Sequence, residues 1–390
     1  MRTFCMIRWG FPVALGCLTI TPFEPARTDF PSVVVGVNIV NPLRAKVADQ
    51  NALLDQLKSE NVRVVRCGIT LDEKGIDFAK RVNANGIKIQ LILSPKYVPD
   101  APTRPYQPKE FPEMWSGHPL SYADPGLSKT YFQDLFDKFD ANGIEIAGLE
   151  LGNELNWAAF NPEFPLPGEG KVLSFYDLSH DAEGEQIARG FLQYLKILAV
   201  LKDVRDHSRL NRRTPIISAG MVDAVEGQKV YNTKKEDMVS LSGTIRFLRA
   251  NGLDSLVDAY GIHTYPSSNK PGDSSEKAKR AARFINVDLA ECRPTGSSAG
   301  KPAWITEWGF PNSDFSCPPN DSARAELVRE MRADFAKAAS QGLLAGFTYF
   351  AWDSDPWSKT PDRDCVYRCG QLTEAGQEAI APLVPSRTGG

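Results

Sequence analysis

The sequence alternates eight short apolar runs with eight segments of helical character, and this alternation restricts the fold more than any other feature. Most runs are apolar almost throughout, which is typical of parallel strands covered on both faces. The strand candidates are Val33–Val40, Val62–Ile69, Ile87–Ser94, Gly148–Glu154, Pro215–Met221, Ala259–Pro266, Pro302–Gly309 and Gly346–Asp353. The helix candidates are Ala45–Glu60, Glu73–Asn85, Ser128–Asn142, Glu183–Arg209, Lys235–Asn251, Ser275–Cys292, Ser322–Gln341 and Thr373–Ala381. Eight strand–helix units predict an α/β fold, the (β/α)8 TIM barrel.

The links between these segments differ at the two ends of the predicted barrel. Four helix candidates end in an amide residue, a glycine and an apolar residue, a pattern typical of a left-handed helix cap. They end in Asn85-Gly86-Ile87, Asn142-Gly143-Ile144, Asn251-Gly252-Leu253 and Gln341-Gly342-Leu343. The helix-to-strand links are short, whereas the long strand-to-helix links are Pro95–Leu127, Leu155–Ala182, Val222–Lys234, Phe310–Asp321 and Ser354–Leu372. Because such barrels use the loops at the carboxyl ends of their strands, we expect the active site there.

The length of 390 residues suits either one barrel with long loops or about two to three average domains. A hydrophobic content of 42% with 24% charged residues is that of a globular chain. No linker or internal repeat divides the alternating pattern. We therefore expect a leader over residues 1–30 and a single (β/α)8 catalytic domain over residues 31–390.

The predicted leader has the character of an export signal. Arg2 and Arg8 precede the uncharged run Trp9–Phe23. Two prolines interrupt this run, which is too short to form a stable membrane span. Small residues precede Cys17, as in a lipoprotein-type cleavage site. We expect an exported protein, whether periplasmic, extracellular or lipid-anchored, with a cytoplasmic protein as the alternative.

Charge and cysteine spacing exclude several classes of partner. The chain has 45 Lys and Arg against 48 Asp and Glu, without a basic block, so binding to nucleic acid is not expected. No CxxC pair occurs and the four histidines are scattered, so we expect no metal site and no cofactor. Four cysteines fall in the last quarter of the chain, namely Cys292, Cys317, Cys365 and Cys369. They form either one or two disulfides in an exported protein or a set of free thiols.

Two glutamates come at the ends of strand candidates. Glu154 ends the fourth candidate, and Glu307 lies near the end of the seventh, in the segment Thr306-Glu307-Trp308-Gly309. Because the carboxyl ends of the strands share one rim, we expect the two carboxylates to face a common cleft. Glycoside hydrolysis needs two such groups: one donates a proton to the leaving oxygen, and the other attacks the anomeric carbon or activates water.

Other chemistry-bearing residues end neighbouring strand candidates. The second candidate supplies Arg66, His263 and Tyr265 share one face at the end of the sixth, and Trp352 lies near the end of the eighth. A cation and a phenol near a carboxylate lower its pKa, as a nucleophile requires. The tryptophan offers a flat face for a sugar ring. The alternative for each is a place in the barrel core, where Arg66 would form an ion pair.

This arrangement resembles glycoside hydrolase clan A, the retaining (β/α)8 glycosidases, over nearly the whole predicted barrel. Asn153-Glu154 matches the acid/base motif of that clan, and Glu307 matches its nucleophile. Tyr265 matches the tyrosine that hydrogen-bonds the nucleophile, and Arg66 matches the arginine of the second strand. The resemblance therefore implies an enzyme with Glu154 as acid/base and Glu307 as nucleophile.

Two families within the clan share features with this chain. The segments Ile305–Asn312 and Phe350–Trp357 resemble family 17, the β-1,3-glucanases and their transglycosylating bacterial relatives, from which the chain departs at Trp308. Asn153–Asn156 resembles the Asn-Glu-Pro-Asn motif of families 39 and 79, with Leu155 in place of proline.

We therefore expect a retaining β-glycoside hydrolase that cleaves a polysaccharide, a β-glucan, by double displacement. Glu307 attacks, Glu154 acts as acid and then base, and Asn153 holds the 2-hydroxyl group. Asn156 either contacts the substrate or caps the next turn. Two alternatives stay open: a β-glucan transglycosylase using the same site, and a non-catalytic glycan-binding barrel.

Overall fold

The computed structural model describes residues 32–106, 114–228, 236–266, 270–294, 299–358 and 362–383. Its main feature is a curled sheet of nine parallel strands. The strands are β1 (Val34–Asn38), β2 (Val64–Gly68), β3 (Lys88–Leu93), β4 (Ile146–Leu151), β5 (Ile216–Ile217), β6 (Met221–Val222), β7 (Tyr260–Thr264), β8 (Ala303–Trp308) and β9 (Leu344–Tyr349). Their order in the sheet is β5-β4-β3-β2-β1-β9-β8-β7-β6. The expected α/β class and parallel sheet are confirmed.

The fifth strand candidate forms two short strands rather than one. β5 pairs with β4, and β6 pairs with β7. Between these strands Gly220 forms a single bridge to Asn153, and Ile217 of β5 forms a second single bridge to Ala259. A side chain at Gly220 would not fit, since its Cβ would lie 2.1 Å from Nε2 of His263. The strand is interrupted where the backbone passes close to this histidine.

Eight helices follow the strands in alternation, as the sequence predicts. They are α1 (Val47–Ser59), α2 (Glu73–Ala84), α3 (Pro125–Asn142), α4 (Ala182–His207), α5 (Leu241–Ala250), α6 (Ser274–Arg283), α7 (Ser322–Ser340) and α8 (Glu374–Ile380). α5 begins later than expected because Ser240 caps it by accepting a hydrogen bond from the backbone N–H of Gly243. α6 ends at Arg283 and continues as a π-helical turn over Phe284–Asp288.

The predicted helix caps are confirmed. The four cap glycines have the left-handed backbone that favours glycine, with φ from 70° to 102°; they are Gly86, Gly143, Gly252 and Gly342. At three of these ends the next apolar residue donates back to the last helical turn, for example Ile144 N–H to Phe139 O at 2.9 Å. These tight ends return the chain directly to the sheet, which leaves the long loops at the opposite rim.

The space enclosed by the curled sheet is filled by one large side chain among small ones. Trp304 is fully buried beside Ile217, Ala259 and Ala345. A Cβ at Gly346 would lie only 2.6 Å from the Trp304 ring. The enclosed space is therefore a packed core rather than a channel, and open space for a ligand lies at the rim.

The cysteines of the last quarter form one disulfide, which the sequence left open. Cys317 in the loop after β8 is bonded to Cys369, whereas Cys292 and Cys365 are free and buried. Within the described ranges, no helix is long and apolar enough to cross a membrane. The expected leader over residues 1–30 lies outside the described residues.

Candidate active site

Two glutamates meet at the carboxyl end of the sheet, as the sequence predicts. The site contains Glu154 from the turn after β4, His263 from β7 and Glu307 from β8. Nδ1 of His263 lies 2.7 Å from Oε1 of Glu154 and 3.6 Å from Oε2 of Glu307. One polar atom from each of the three residues lies within 4.8 Å of the others. The two carboxyl groups are therefore close enough to act on one bond.

Glu154 is held by an unusual backbone conformation. Its φ is 47°, in the left-handed region that non-glycine residues rarely adopt, and Gly152 before it has a φ of 88°. The Glu154 N–H donates to Gly220 O at 2.6 Å, which ties the turn to the interrupted fifth strand position. Such strain persists only where the surrounding structure enforces it, and it is common at functional sites. Here it keeps a carboxyl group at the rim that would otherwise follow the strand.

Arg66 on β2 contacts the nucleophile candidate and is itself fixed by a buried network. Its Nη1 donates to Glu307 Oε1 at 2.6 Å and to Asn38 Oδ1 at 2.8 Å. Nε and Nη2 donate to the two oxygens of Glu150 at 2.7 and 2.8 Å, and Nη2 also donates to Asn153 Oδ1 at 2.8 Å. A guanidinium with this many partners has little freedom to move, so the position of Glu307 is fixed through it.

The surroundings of Glu307 favour its ionised form. Burial by itself would raise the pKa of this carboxyl. The charges of His263 and Arg66, together with the hydrogen bond from Tyr265 OH to Oε2 at 2.8 Å, outweigh burial and lower the pKa below its ordinary value. An ionised carboxylate at neutral pH is what a nucleophile requires.

The surroundings of Glu154 favour its protonated form. Burial raises the pKa of this carboxyl, and the negative charge of Glu307 adds to the rise, although His263 acts in the opposite direction. The same contacts raise the pKa of His263, because the two carboxylates offset the effect of its burial. When the pKa values of two neighbouring carboxyls move in opposite directions, the one with the raised pKa suits an acid and the one with the lowered pKa suits a base.

The separation of the carboxyls distinguishes two stereochemical outcomes. In retaining glycosidases the groups are about 5–5.5 Å apart, while inverting enzymes leave about 6.5–9.5 Å for a water molecule. The oxygen atoms of Glu154 and Glu307 that face each other lie within 4.8 Å. This upper limit lies below the range of the inverting arrangement and leaves no room for a water molecule between the two oxygens.

The same three residues are the group that could hold a metal ion in the described part of the chain. Glu154, His263 and Glu307 offer two oxygens and one nitrogen. However, the permanent charge of Arg66 already compensates Glu307 at 2.6 Å, so a cation would have to compete with it. The absence of a metal or cofactor therefore stays a prediction.

Two residues expected at the substrate lie elsewhere. The Asn156 side chain is fully buried, and its amide bonds the backbone of Val222 in β6 and of Val239, so it ties the turn after β4 to these segments instead of facing the cleft. Trp352 is also fully buried and stacks on Tyr367 with ring centroids 5.0 Å apart. Its expected role as a sugar platform is wrong for this conformation, because no face of the ring is exposed.

Sequence reasoning missed the residues that support Arg66. Asn38 accepts from Arg66 and donates to the backbone oxygen of Thr306, next to Glu307. Gln90 donates to Glu150 at 2.9 Å. Their positions at or near the carboxyl halves of β1 and β3 were the available signal, since buried polar residues on barrel strands need partners. Glu150 is fully buried in this network, where it accepts from both Arg66 and Gln90.

Comparison with solved structures shows that this chain shares its fold with a glycosidase. An endo-1,4-β-mannanase from Rhizomucor miehei superposes with a TM-score of 0.52 at 12% identity, covering 90% of this chain and 94% of that one. A fungal β-1,4-galactanase (17% identity, TM-score 0.49, 89% and 94% coverage) and a family 1 β-glucosidase from Thermotoga maritima (12%, 0.49, 89% and 96%) also match. No protein-family model and no curated protein matches this sequence.

Proposed function

We propose that this chain is a retaining glycoside hydrolase of clan A that acts on a β-linked glycan. The observation that carries this proposal is the pair Glu154 and Glu307, within 4.8 Å of each other, with pKa values moved in opposite directions. The shared fold with a β-mannanase is consistent with it. The opposite directions suit Glu307 to act as an ionised nucleophile and Glu154 as a protonated acid, and double displacement needs both at the same time.

In the first step, Glu307 attacks the anomeric carbon while Glu154 gives its proton to the leaving oxygen. The bond between carbon and leaving oxygen breaks as the bond to the Glu307 carboxylate forms. Arg66 and Tyr265 hold one oxygen each of Glu307, which orients the carboxylate. Asn153, whose carbonyl oxygen is bound by Arg66, can present its NH2 group to the 2-hydroxyl of the sugar.

In the second step, Glu154 takes a proton from water, which attacks the glycosyl–enzyme and releases Glu307. His263 contacts both carboxyls, and their negative charges raise its pKa. A sugar hydroxyl in place of water would give transglycosylation at the same site. A non-catalytic glycan-binding barrel would not need both carboxyls, and their joint placement favours the enzyme.

The finer features of the fold and substrate are part of the proposal. We infer that β5 and β6 together take the fifth strand position and close an eight-stranded barrel, which the bridges Asn153–Gly220 and Ile217–Ala259 support. We also propose one catalytic domain over residues 31–390, an exported protein, a β-glucan as substrate, and kinship with family 17 or 39. The motifs of the sequence support these points.

The test is reducing-end release from β-1,3-, β-1,4- and β-1,6-glucans, mannan and xylan. We expect turnover of at least one polymer, and a fall of roughly four orders of magnitude in Glu307→Gln, as for loss of a nucleophile. Tyr176→Phe changes an exposed residue and serves as the control. Near-normal turnover in Glu307→Gln would contradict the assignment. Product chain lengths separate hydrolysis from transglycosylation.

A further inference from the structure

Three consecutive residues at the end of β7 serve two sides of the sheet. Side chains alternate along a strand, so His263 and Tyr265 share one side while Thr264 between them faces the other. Nδ1 of His263 lies 2.7 Å from Oε1 of Glu154, and Tyr265 OH donates to Oε2 of Glu307 at 2.8 Å. Both glutamates of the candidate site therefore depend on where this one strand end lies.

The hydroxyl group of Thr264 is held from the helical side of the sheet. Its Oγ1 donates to Oδ2 of Asp288 at 2.7 Å, and both residues are almost completely buried. Asp288 is the last residue of the π-helical turn that follows α6. In this turn the Leu289 N–H donates to Phe284 O at 3.0 Å, five residues back. Such wide turns are frequent at functional sites, and this one places a carboxyl group against the end of β7.

Asp288 has few partners for a buried carboxyl group. Its Oδ1 has no hydrogen-bond partner within the described ranges. Burial and the charge of Asp223 raise the pKa of Asp288 well above its ordinary value, although the bond from Thr264 and the charge of Arg283 act in the opposite direction. Burying an acid in this way costs stability, and strongly perturbed acids are concentrated at functional sites. The bond to Thr264 is therefore the feature of Asp288 that calls for a function.

The residue at the end of α6 ties the neighbouring strand to the same place. Nη2 of Arg283 donates to the backbone oxygen of Asp223 at 2.6 Å and to its Oδ2 at 2.9 Å. Asp223 directly follows β6, and Val222 of β6 pairs with His263 of β7. The end of α6 and the π-helical turn therefore hold two adjacent strands at the rim, β6 through Asp223 and β7 through Thr264.

We propose that Thr264 and Asp288 are positioning residues: their buried hydrogen bond sets the end of β7 so that the residues on either side of Thr264 reach the two glutamates of the site. Both act through His263 and Tyr265 and not on the substrate itself. This inference rests on the proposed function and adds to it a support on the helical side of the sheet. A single bond behind the strand then adjusts the acid and the nucleophile together.

The experiment measures the pH profile of kcat/KM, on the polymer that the wild type cleaves best, in Thr264→Val, which removes the hydroxyl but keeps the shape. Burial raises the pKa of both glutamates, while His263 opposes this rise at Glu154 and Tyr265 opposes it at Glu307. Because the variant loosens both contacts, both pKa values should rise. We expect the acid and basic limbs to move to higher pH together, each by up to about one unit, and kcat/KM to fall by roughly tenfold.

Three further variants test whether the bond itself is responsible. Thr264→Ser keeps the hydroxyl and should restore both limbs. Asp288→Asn keeps an oxygen that can accept from Thr264, so its limbs should stay near those of the wild type. Asp288→Ala removes the acceptor and should reproduce Thr264→Val, and the two changes combined should give no additional movement. Additional movement in the combined variant would show that the residues act separately, which overturns the proposal.

Thr244 provides a matched control, because it is also a buried threonine whose hydroxyl donates a hydrogen bond. It is fully buried in α5, and its Oγ1 donates to Ser240 O at 2.9 Å. Thr244→Val should lower the stability, as Thr264→Val does, yet leave both limbs in place. Unmoved limbs in Thr264→Val, or the same movement in Thr244→Val, would overturn the inference.

A failure of the proposed function has a different signature. If the wild type cleaves no polymer, the imidazole N–H protons of His263 are followed by NMR in protein labelled at its four histidines. Because His263 is buried with Nδ1 2.7 Å from Glu154, its N–H signal should exchange slowly with water. Faster exchange in Thr264→Val but not in Thr244→Val would support the positioning role and reject the hydrolase. Equal exchange in all three proteins would overturn the positioning role.

Discussion

Glu154 and Glu307 are the same residue type in one cluster, but their side chains meet different partners. Glu307 accepts from Arg66 and Tyr265, whereas Glu154 pairs with His263. The pKa of Glu307 is lowered because positive charges and a hydrogen bond outweigh its burial, whereas burial raises the pKa of Glu154. The environment of each residue, rather than its type, therefore supports the proposed roles of Glu307 as nucleophile and Glu154 as acid.

The hydrogen bond from Tyr265 to Glu307 predicts a change in the pH profile. Under the proposed mechanism, activity needs Glu307 ionised and Glu154 protonated, so it falls when pH drops through the pKa of Glu307 or rises through the pKa of Glu154. Tyr265→Phe removes a bond that favours the ionised form, which raises the Glu307 pKa. We expect the acid limb of kcat/KM to move to higher pH by up to about one unit.

The control for this profile is Tyr176→Phe. Tyr176 is 63% exposed, and its ring stacks on His180. It should leave both limbs in place. An unmoved acid limb in Tyr265→Phe would show that the phenol does not tune Glu307.

At the scale of elements, the break between β5 and β6 shapes the site. Gly220, between these two strands, hydrogen-bonds both Glu150 of β4 and Glu154 in the turn after it. Its N–H donates to Glu150 Oε1 at 3.0 Å, and its carbonyl oxygen accepts from the Glu154 N–H at 2.6 Å. His263 packs against the same glycine. The interrupted fifth strand position therefore contacts both the turn that carries Glu154 and the side chain of His263.

Gly220→Ala is predicted to damage stability and catalysis together. The new Cβ would lie 2.1 Å from His263 Nε2 and 2.5 Å from Thr306 Oγ1, and both side chains are buried. We expect a loss of about 1–3 kcal/mol in the free energy of unfolding, measured by urea denaturation, with lowered kcat. Gly68→Ala, whose Cβ would come no nearer than 3.8 Å to another residue, is the matched control. Equal stability of the two variants would contradict the close packing.

At the scale of the whole molecule, the rim is built from loops that are far apart in the chain. The loop after β8 and the hairpin formed by Tyr367–Arg368 and Gln371–Leu372 are joined by the disulfide Cys317–Cys369. Arg368 also donates to the backbone of Asn312 and Asp314 in that loop. These links hold the rim beside Glu307.

Removal of this disulfide is predicted to lower Tm. The bond spans 52 residues, and a loop of this length contributes about 2–4 kcal/mol by restricting the unfolded chain. Thermal unfolding of the double variant Cys317→Ser/Cys369→Ser should show this loss, and reductant should lower the Tm of the wild type to the same level. A further fall in the double variant with reductant would mean that another bond is responsible.

Particular residues show how far sequence reasoning reached into the site. Glu307, Arg66 and Tyr265 could be placed together because each lies in a strand or directly after one, and the carboxyl ends of the strands share a rim. Trp352 and Asn156 also follow strands, yet they are buried. Position along a strand predicts the end of the sheet, but it does not decide whether a side chain faces open space or the neighbouring loop.

The sequence by itself determined the alternation of strands and helices, the cap glycines, and the strands that carry the two glutamates, because these depend on local patterns and on parallel topology. Only the tertiary structure decided the distance between the carboxyls, the network around Arg66, the pairing of Cys317 with Cys369, and the bond between Thr264 and Asp288. Each of these depends on contacts between residues distant in the chain, and local sequence carries no record of such distances.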